Sequence, residues 1–247
     1  MALQQGMTVA NVRLSKLLGQ GGMGSVWIAD HLTLHTEVAV KFMAAEIAKD
    51  GPAVARFTRE ATAAAQIKSP HVVQIFDHGV TSDGIPYIVM EKLEGDDLGK
   101  RLAQVVALPI PDAIKIVVQV CKALSRAHAL GIVHRDIKPE NIFLTDSDGE
   151  TFVKVLDFGI AKKTMETSMV MTSTGAMVGT PYYMSPEQVL GAKGLDGRSD
   201  IWSLGVVAYH AITGQLPFTS ETLGALCVAI DRCKFAPASG IRQGVTA

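Results

Sequence analysis

Residues 134–141 of the 247-residue chain read His134-Arg-Asp-Ile-Lys-Pro-Glu-Asn141, and this stretch says most about the fold. It follows a segment with helical apolar spacing, predicted over Pro111 to Leu130 and stopped by Gly131. An acid, a lysine and a carboxamide then lie within six residues of one loop. A polar turn after a buried helix is the bland interpretation. The functional interpretation is that the loop holds, side by side, an acid and an oxygen ligand for a hard cation.

A second distinctive stretch lies near the N-terminus and is rich in glycine: Gly19-Gln-Gly-Gly-Met-Gly-Ser-Val-Trp27. It has two interpretations, a loop that covers phosphate groups or a flexible turn. A Walker loop would end in Gly-Lys-Ser/Thr, which is absent here. A dinucleotide fold would need a helix next, yet Ser25 to Ala29 has the pattern of a returning strand. The remaining option is a hairpin over the phosphates, which predicts a lysine on the next strand. Val38-Ala-Val-Lys41 supplies that lysine.

The motif Leu156-Asp-Phe-Gly159 comes after the loop of residues 134–141, which we call the catalytic-type loop. With these motifs in this order, the chain resembles the eukaryotic-type (Hanks-type) protein serine/threonine kinases. The wording Tyr-Met-Ser-Pro-Glu-Gln is similar to that of the bacterial branch. The resemblance implies a two-lobed α+β fold: a small antiparallel sheet with one helix in residues 1–92, and a larger, mainly helical lobe in residues 93–247. Together they form one catalytic domain, apparently shortened at its C-terminal end, either as a fragment or as a shortened gene product.

The order of predicted elements agrees with this fold. Strands are expected over Val12 to Leu18, Ser25 to Ala29, Thr36 to Met43, Val72 to Phe76 and Tyr87 to Met90. Helices are expected over Pro52 to Lys68, Pro111 to Leu130, Asp200 to Thr213 and Glu221 to Asp231. In the second helix the apolar positions are Ile114, Val117, Val118, Cys121, Leu124 and Ala127.

The resemblance also implies roles for individual residues. Asp136 accepts the proton or hydrogen bond of the substrate hydroxyl, Lys138 neutralises charge on the transferred group, and Lys41 contacts the α- and β-phosphates with Glu60 as its partner. Asn141 and Asp157 bind Mg²⁺, with Mn²⁺ as an alternative. ATP contacts are expected from Leu18, Gly19, Gln20, Gly21, Gly22, Met23, Gly24, Ser25, Val26, Ala39, Lys41, Met90, Glu91, Leu93 and Leu144. For Val26 and Ala39, plain core packing explains the residues equally well.

The resemblance also implies that the segment after Asp157 regulates activity through phosphorylation. Arg135 is expected to pair with a phosphorylated loop residue, and Thr172 or Thr174 is the predicted autophosphorylation site. Thr180 is expected to bond Asp136 or Lys138. Glu187 and Asp200 are expected to be scaffold groups, with Asp200 holding the catalytic-loop backbone. The arginine that normally pairs with the acid at Glu187 is missing from this chain.

Composition limits the other classes of function. Net charge is −1, so no general affinity for nucleic acid is expected, and no apolar run is long enough to span a bilayer. Three cysteines without metal or redox spacing indicate a reducing, cytoplasmic setting. The expected partners are ATP and proteins with Ser or Thr acceptors, and self-association would serve autophosphorylation. The alternatives are a catalytically impaired pseudokinase that acts as a binding scaffold, and a small-molecule phosphotransferase.

Overall fold

A computed structural model describes residues 3–147, 149–158 and 181–245 of the chain. These residues form two compact units: Met1–Lys68 with Val72–Glu94, and Ser69–His71 with Gly95–Ala247. Among the described residues, no helix combines the length and apolar character that a membrane crossing requires.

The first unit is an antiparallel sheet with one helix. Its strand order is β1-β2-β3-β4-β6-β5, so the last two strands exchange places relative to the chain order. Helix α1 carries buried Phe57, Ala61 and Ala64 on one face and packs against β5 and β6. The elements are β1 Thr8–Val9, β2 Val12–Gly21, β3 Gly24–His31, β4 Thr36–Met43, α1 Gly51–Ala65, β5 Ile75–Val80 and β6 Pro86–Glu91.

The two faces of this sheet differ in what they bury. Because side chains alternate along a strand, one face of β3, β4 and β6 presents the large apolar side chains. These form the core of the unit, together with residues of β1 and β2, and include Trp27, Val38, Val40, Phe42, Tyr87 and Val89. The opposite face is therefore available for α1 and for polar chemistry.

The second unit is mainly helical, with a small sheet of order β7-β8-β9. Helices α3 and α5 pack together at its centre, and β9 also lies against α3. The elements are β7 Asp96–Asp97, α2 Leu98–Gln104, α3 Ile110–Ala129, β8 Ile142–Ser147, β9 Glu150–Val155, α4 Pro186–Val189, α5 Gly197–Thr213 and α6 Leu223–Arg232.

Most predicted elements are confirmed within a few residues, and β4 has the predicted limits. The strand predicted over Val72 to Phe76 was wrong in position, since β5 begins at Ile75. Val72 and Val73 are buried but lie outside the ladder. An apolar run signals burial, whereas strand pairing depends on a partner that is distant in sequence. Here the ladder with β6 begins at the Ile75–Met90 pair.

The apolar positions expected in α3 are only partly buried: Leu124 and Ala127 belong to the core, but others do not. Ile114 and Val118 are 53% and 46% exposed, and Cys121 is exposed too. The buried stripe instead repeats at intervals of three and four residues, which is the spacing of a close helix–helix seam. Its members are Ala113, Ile116, Val120, Ala123, Leu124 and Ala127. The small alanines allow a close approach to α5, and their weak hydrophobicity hid this stripe in the sequence.

Candidate active site

The catalytic-type loop lies between α3 and β8, and its charged groups converge. The Asp136 carboxylate is 3.1 Å from Lys138 Nζ and accepts a 3.1 Å hydrogen bond from Asn141 Nδ2. Asn141 Nδ2 also donates to the Asp136 carbonyl oxygen at 2.8 Å. Since the amide nitrogen is engaged with Asp136, the Asn141 Oδ1 atom is the part of the carboxamide left to act as a ligand.

The loop backbone is held by a carboxylate from α5. Asp200 is 1% exposed and accepts hydrogen bonds from the backbone N–H groups of His134, at 2.8 Å, and Arg135, at 2.7 Å. His128 Nε2, at 2.7 Å, is a third partner of the same carboxylate. The predicted role of Asp200 as a scaffold group is thus confirmed. His128 was missed, because nothing in the sequence links a histidine on α3 to an acid 72 residues later.

The His134 ring joins this loop to the segment that carries Asp157. Its Nε2 atom lies 2.7 Å from the Leu156 carbonyl oxygen, and its ring packs on Phe158 with centroids 4.6 Å apart. Leu156 N–H also donates to the Asn141 carbonyl oxygen at 2.9 Å. Asn141 and Asp157, the two expected metal ligands, therefore come from adjoining chain segments. Asp157 has a left-handed backbone, with φ of 54°.

These residues suit a hard divalent cation. A carboxylate at Asp157 and a carboxamide oxygen at Asn141 are oxygen donors, which Mg²⁺ prefers to nitrogen or sulfur. Asn141 is buried at 8% exposure, and its orientation is fixed by two hydrogen bonds. A ligand held in this way loses little freedom when a cation binds.

In the first unit, Lys41 lies on β4 opposite Val26 of β3 and Ile88 of β6. Strand alternation puts Val26, Ala39, Lys41 and Met90 on one face of the sheet, opposite the face that builds the core. Val26 and Ala39 therefore do not belong to that cluster, although Ala39 is itself buried at 8% exposure. Glu60 is half-buried on α1, and its pairing with Lys41 stays a prediction.

The glycine stretch forms the hairpin between β2 and β3, whose last pair is Gly21 with Gly24. A methyl group added to Gly19, Gly21 or Gly22 would meet no atom within 4 Å, so the backbone at this end is uncovered. Gly24 differs, since a Cβ there would lie 1.8 Å from the Phe42 carbonyl oxygen. The backbone at these three glycines is bare, although Gln20 and Met23 lie between them, and such backbone fits an anionic group that approaches its N–H donors.

The segment after β6, predicted to bind adenine, has its own internal bonds. Glu91 donates its N–H to the Gln74 carbonyl at 2.9 Å, and its carboxylate accepts from Gln74 N–H at 2.6 Å. Lys92 bonds Glu37 at 2.7 Å and Glu94 at 3.2 Å, and these acids raise the Lys92 pKa. Leu144, the remaining residue of the expected adenine site, is half-buried on β8 of the second unit.

The other predicted residues are partly outside the described part of the chain. Thr172, Thr174 and Thr180 lie outside it, so the predicted phosphorylation sites stay predictions. Arg135 is described and has a left-handed backbone, with φ of 65°.

Glu187 has a different partner from the arginine that the resemblance implied. Burial raises the pKa of its carboxyl group, but the Ser199 hydroxyl donates to it at 2.5 Å and the net pKa is lowered. Glu187 also lines a pocket of about 360 Å³ with Asp196 and Arg198.

A second polar pair lies beside the loop. The Tyr183 hydroxyl is 2.9 Å from His210 Nδ1, and burial raises the Tyr183 pKa and lowers the His210 pKa. The negative charge of Glu140, next to Asn141, raises both pKa values, but for His210 the opposite effect of burial is larger. The pair is therefore neutral, with the tyrosine hydroxyl as donor and Nδ1 as acceptor.

Comparison with known proteins agrees with this arrangement. The family model described as "Protein kinase domain" matches residues 12–235. Serine/threonine-protein kinase Pkn1 of Myxococcus xanthus is 44% identical over 243 residues, which cover 98% of this chain and 34% of the relative. Serine/threonine-protein kinase PknB of Mycobacterium tuberculosis is 38% identical over 237 residues, covering 95% and 37%. The chain thus spans about a third of the length of these relatives.

A solved structure extends the likeness to the fold. The PknI kinase domain of Mycobacterium tuberculosis matches with a TM-score of 0.77 at 30% identity, covering 98% of this chain and 85% of that one. The two predictions of family and fold class are therefore confirmed. With its loop from His134 to Asn141 and its glycine hairpin, this chain belongs to the protein kinase domain family.

Proposed function

We propose that the chain is an ATP-dependent protein serine/threonine kinase, which transfers the γ-phosphoryl group to Ser or Thr hydroxyls of proteins. The observation that carries this proposal is the Asp136 carboxylate, held by Lys138 and Asn141 at 3.1 Å each. The names of the relatives support the substrate class. Phosphoryl transfer needs positioning and charge neutralisation more than covalent chemistry, so a few fixed groups suffice.

In this proposal Asp136 receives the hydrogen bond and then the proton of the acceptor hydroxyl. Lys138, beside it, reduces negative charge on the group in transit. Lys41 binds the α- and β-phosphates and Glu60 orients its ammonium group. Backbone donors of residues 19–24 cover the phosphates. Val26, Ala39 and Leu144 contact the adenine ring, and backbone groups of Glu91 and Leu93 bind its edge.

The metal would be held by Asn141 and Asp157. A bound Mg²⁺ would neutralise negative charge on the phosphate groups. Oxygen ligands of this kind suit both Mg²⁺ and Mn²⁺, so the proposal covers either ion. A cytoplasmic location is proposed because ATP is supplied there and because Cys121, Cys227 and Cys233 are free thiols.

Regulation by autophosphorylation belongs to the same proposal. Phosphate at Thr172 or Thr174 adds roughly 1.5 to 2 negative charges, which would pair with the Arg135 guanidinium. Phosphorylation within a pair of chains would make self-association part of activation. Mass spectrometry after incubation with Mg-ATP locates the modified threonines, and a protein without phosphate at either position would contradict this step.

The deciding experiment measures transfer of labelled phosphate from ATP to myelin basic protein. Asp136→Asn is expected to lower kcat by about 10²- to 10⁴-fold, because it removes the general base. Asp231→Asn, an exposed change on α6, is the matched control. A wild-type chain that binds ATP without transfer would indicate a pseudokinase. Transfer to small alcohols but not to proteins would indicate a small-molecule phosphotransferase.

A further inference from the structure

The backbone at Arg135 has an unusual conformation for its residue type. Its φ is 65°, in the left-handed region, which is unfavourable for a residue that carries a Cβ atom. Such a conformation persists only where surrounding contacts impose it. The peptide bond that follows Arg135 leads directly to Asp136, so the contacts that impose the conformation also aim the Asp136 side chain.

Contacts hold this part of the loop on both sides. On the amide side, Asp200 accepts from the N–H groups of His134 and Arg135. On the carbonyl side, the side chain of Gln188 donates from Nε2 to the Arg135 oxygen at 2.8 Å. The N–H of the same peptide bond, which belongs to Asp136, donates to His134 Nδ1 at 3.2 Å. Both polar atoms of the Arg135–Asp136 peptide bond are therefore engaged.

Gln188 uses its other amide atom on its own helix. It lies in α4, whose N-cap is Ser185, and its Oε1 atom accepts from the Ser185 backbone N–H at 3.0 Å. The side chain thus connects the Ser185-Pro186-Glu187 segment to the catalytic loop, 53 residues away. These two contacts define which end of the carboxamide is the donor, Nε2, and which is the acceptor, Oε1.

We propose that Gln188 is a positioning residue for phosphoryl transfer: its carboxamide holds the Arg135–Asp136 peptide bond and so orients the Asp136 carboxylate. This inference rests on the proposed kinase function. Gln188 does not touch the reacting groups. It acts through the backbone that carries the base.

If Gln188 served only to cap α4, the substitution Gln188→Glu would leave activity unchanged, whereas the positioning role predicts a loss. Glutamate caps a helix N-terminus as well as glutamine, because Oε1 still accepts from Ser185 N–H and the charge suits the helix dipole. Gln188→Glu would therefore keep the capping interaction with the Ser185 N–H. It would, however, place a carboxylate oxygen where Nε2 now donates to the Arg135 oxygen, and two acceptors 2.8 Å apart repel.

The test compares kcat, KM for ATP, and melting temperature for wild type, Gln188→Glu, Gln188→Ala and the exposed control Gln104→Glu. Gln188→Glu is expected to lower kcat roughly tenfold or more with KM for ATP within about twofold. Its melting temperature should fall no further than that of Gln188→Ala, because glutamate keeps the bond to the Ser185 N–H. Gln188→Ala should lower both kcat and melting temperature, and Gln104→Glu should change neither.

A second measurement does not depend on activity. Hydrogen exchange of the Asp136 amide, followed by mass spectrometry, should quicken in Gln188→Glu and stay at the wild-type rate in Gln104→Glu. Wild-type kcat and unchanged exchange in Gln188→Glu would overturn the inference. Absence of transfer in the wild type would overturn the proposed function instead, and the exchange rates would still decide the role of Gln188.

Discussion

At the residue scale, Asp200 shows how much a single buried charge organises. Its carboxylate accepts from two backbone N–H groups and has His128 as a third partner, all at 2.7–2.8 Å. Hydrogen bonds to an ionised group are stronger than those between neutral groups. The loop before Asp136 is therefore tied to the buried centre of the second unit, in addition to its own short-range contacts.

Asp200→Ala is expected to lower the free energy of unfolding by about 3 kcal/mol or more, because three partners, one buried and two partly buried, lose their acceptor. Urea denaturation measures this, with exposed Asp231→Ala as the control. A loss under about 1 kcal/mol would show that water or another group replaces the carboxylate.

His210 is expected to make stability fall in mild acid. Burial lowers its pKa in the folded protein below the unfolded value of about 6.5, so the unfolded chain binds the proton more readily. This contribution to stability is complete above pH of about 6.5 and is lost as the pH falls from there towards the lower folded pKa.

Unfolding free energies at pH of about 7.5 and 5.5 test the expectation. His210→Gln, which retains an acceptor for Tyr183, should lose less stability on acidification than wild type. His35→Asn, at an exposed turn, should lose as much as wild type. Equal pH dependence in all three proteins would contradict the assignment.

At the element scale, the hairpin between β2 and β3 separates two kinds of glycine. Gly22 lies in the open turn, whereas Gly24 has a φ of 145° and faces the carbonyl of Phe42 on β4. The first kind leaves room for a ligand, and the second lets two strands approach.

Gly24→Ala is expected to lower the free energy of unfolding by roughly 2 kcal/mol or more, since the added methyl group collides with backbone in a strained conformation. Gly22→Ala, whose methyl group meets nothing, should change it by less than about 1 kcal/mol. Thermal melts of both variants measure the difference. Similar losses in the two would mean that the hairpin tip adjusts to either change.

At the scale of the whole molecule, ligand binding and stability are linked. A ligand that binds only the folded chain adds about 2.7 kcal/mol at 100 times its dissociation constant, which raises the melting temperature by several degrees. A non-hydrolysable ATP analogue with Mg²⁺ is expected to give such a shift.

Asp157→Asn is expected to remove the part of that shift that depends on Mg²⁺, because the charged ligand is lost while asparagine tolerates the left-handed backbone. The shift should be measured with Mg²⁺, with Mn²⁺ and with a chelator. If the wild-type shift is the same with and without the chelator, Asp157 and Asn141 do not serve a metal.

The sequence by itself determined the local features: the limits of β4, the helix stop at Gly131, and the loop that brings Asp136, Lys138 and Asn141 together. These depend on backbone periodicity, glycine conformation and short spacings, which neighbouring residues decide. Only the tertiary structure showed which face of α3 is buried, where β5 begins pairing, and that His128 and Gln188 support the catalytic loop. Those outcomes depend on partners 15 to 72 residues apart in sequence, brought together by packing that no local pattern encodes.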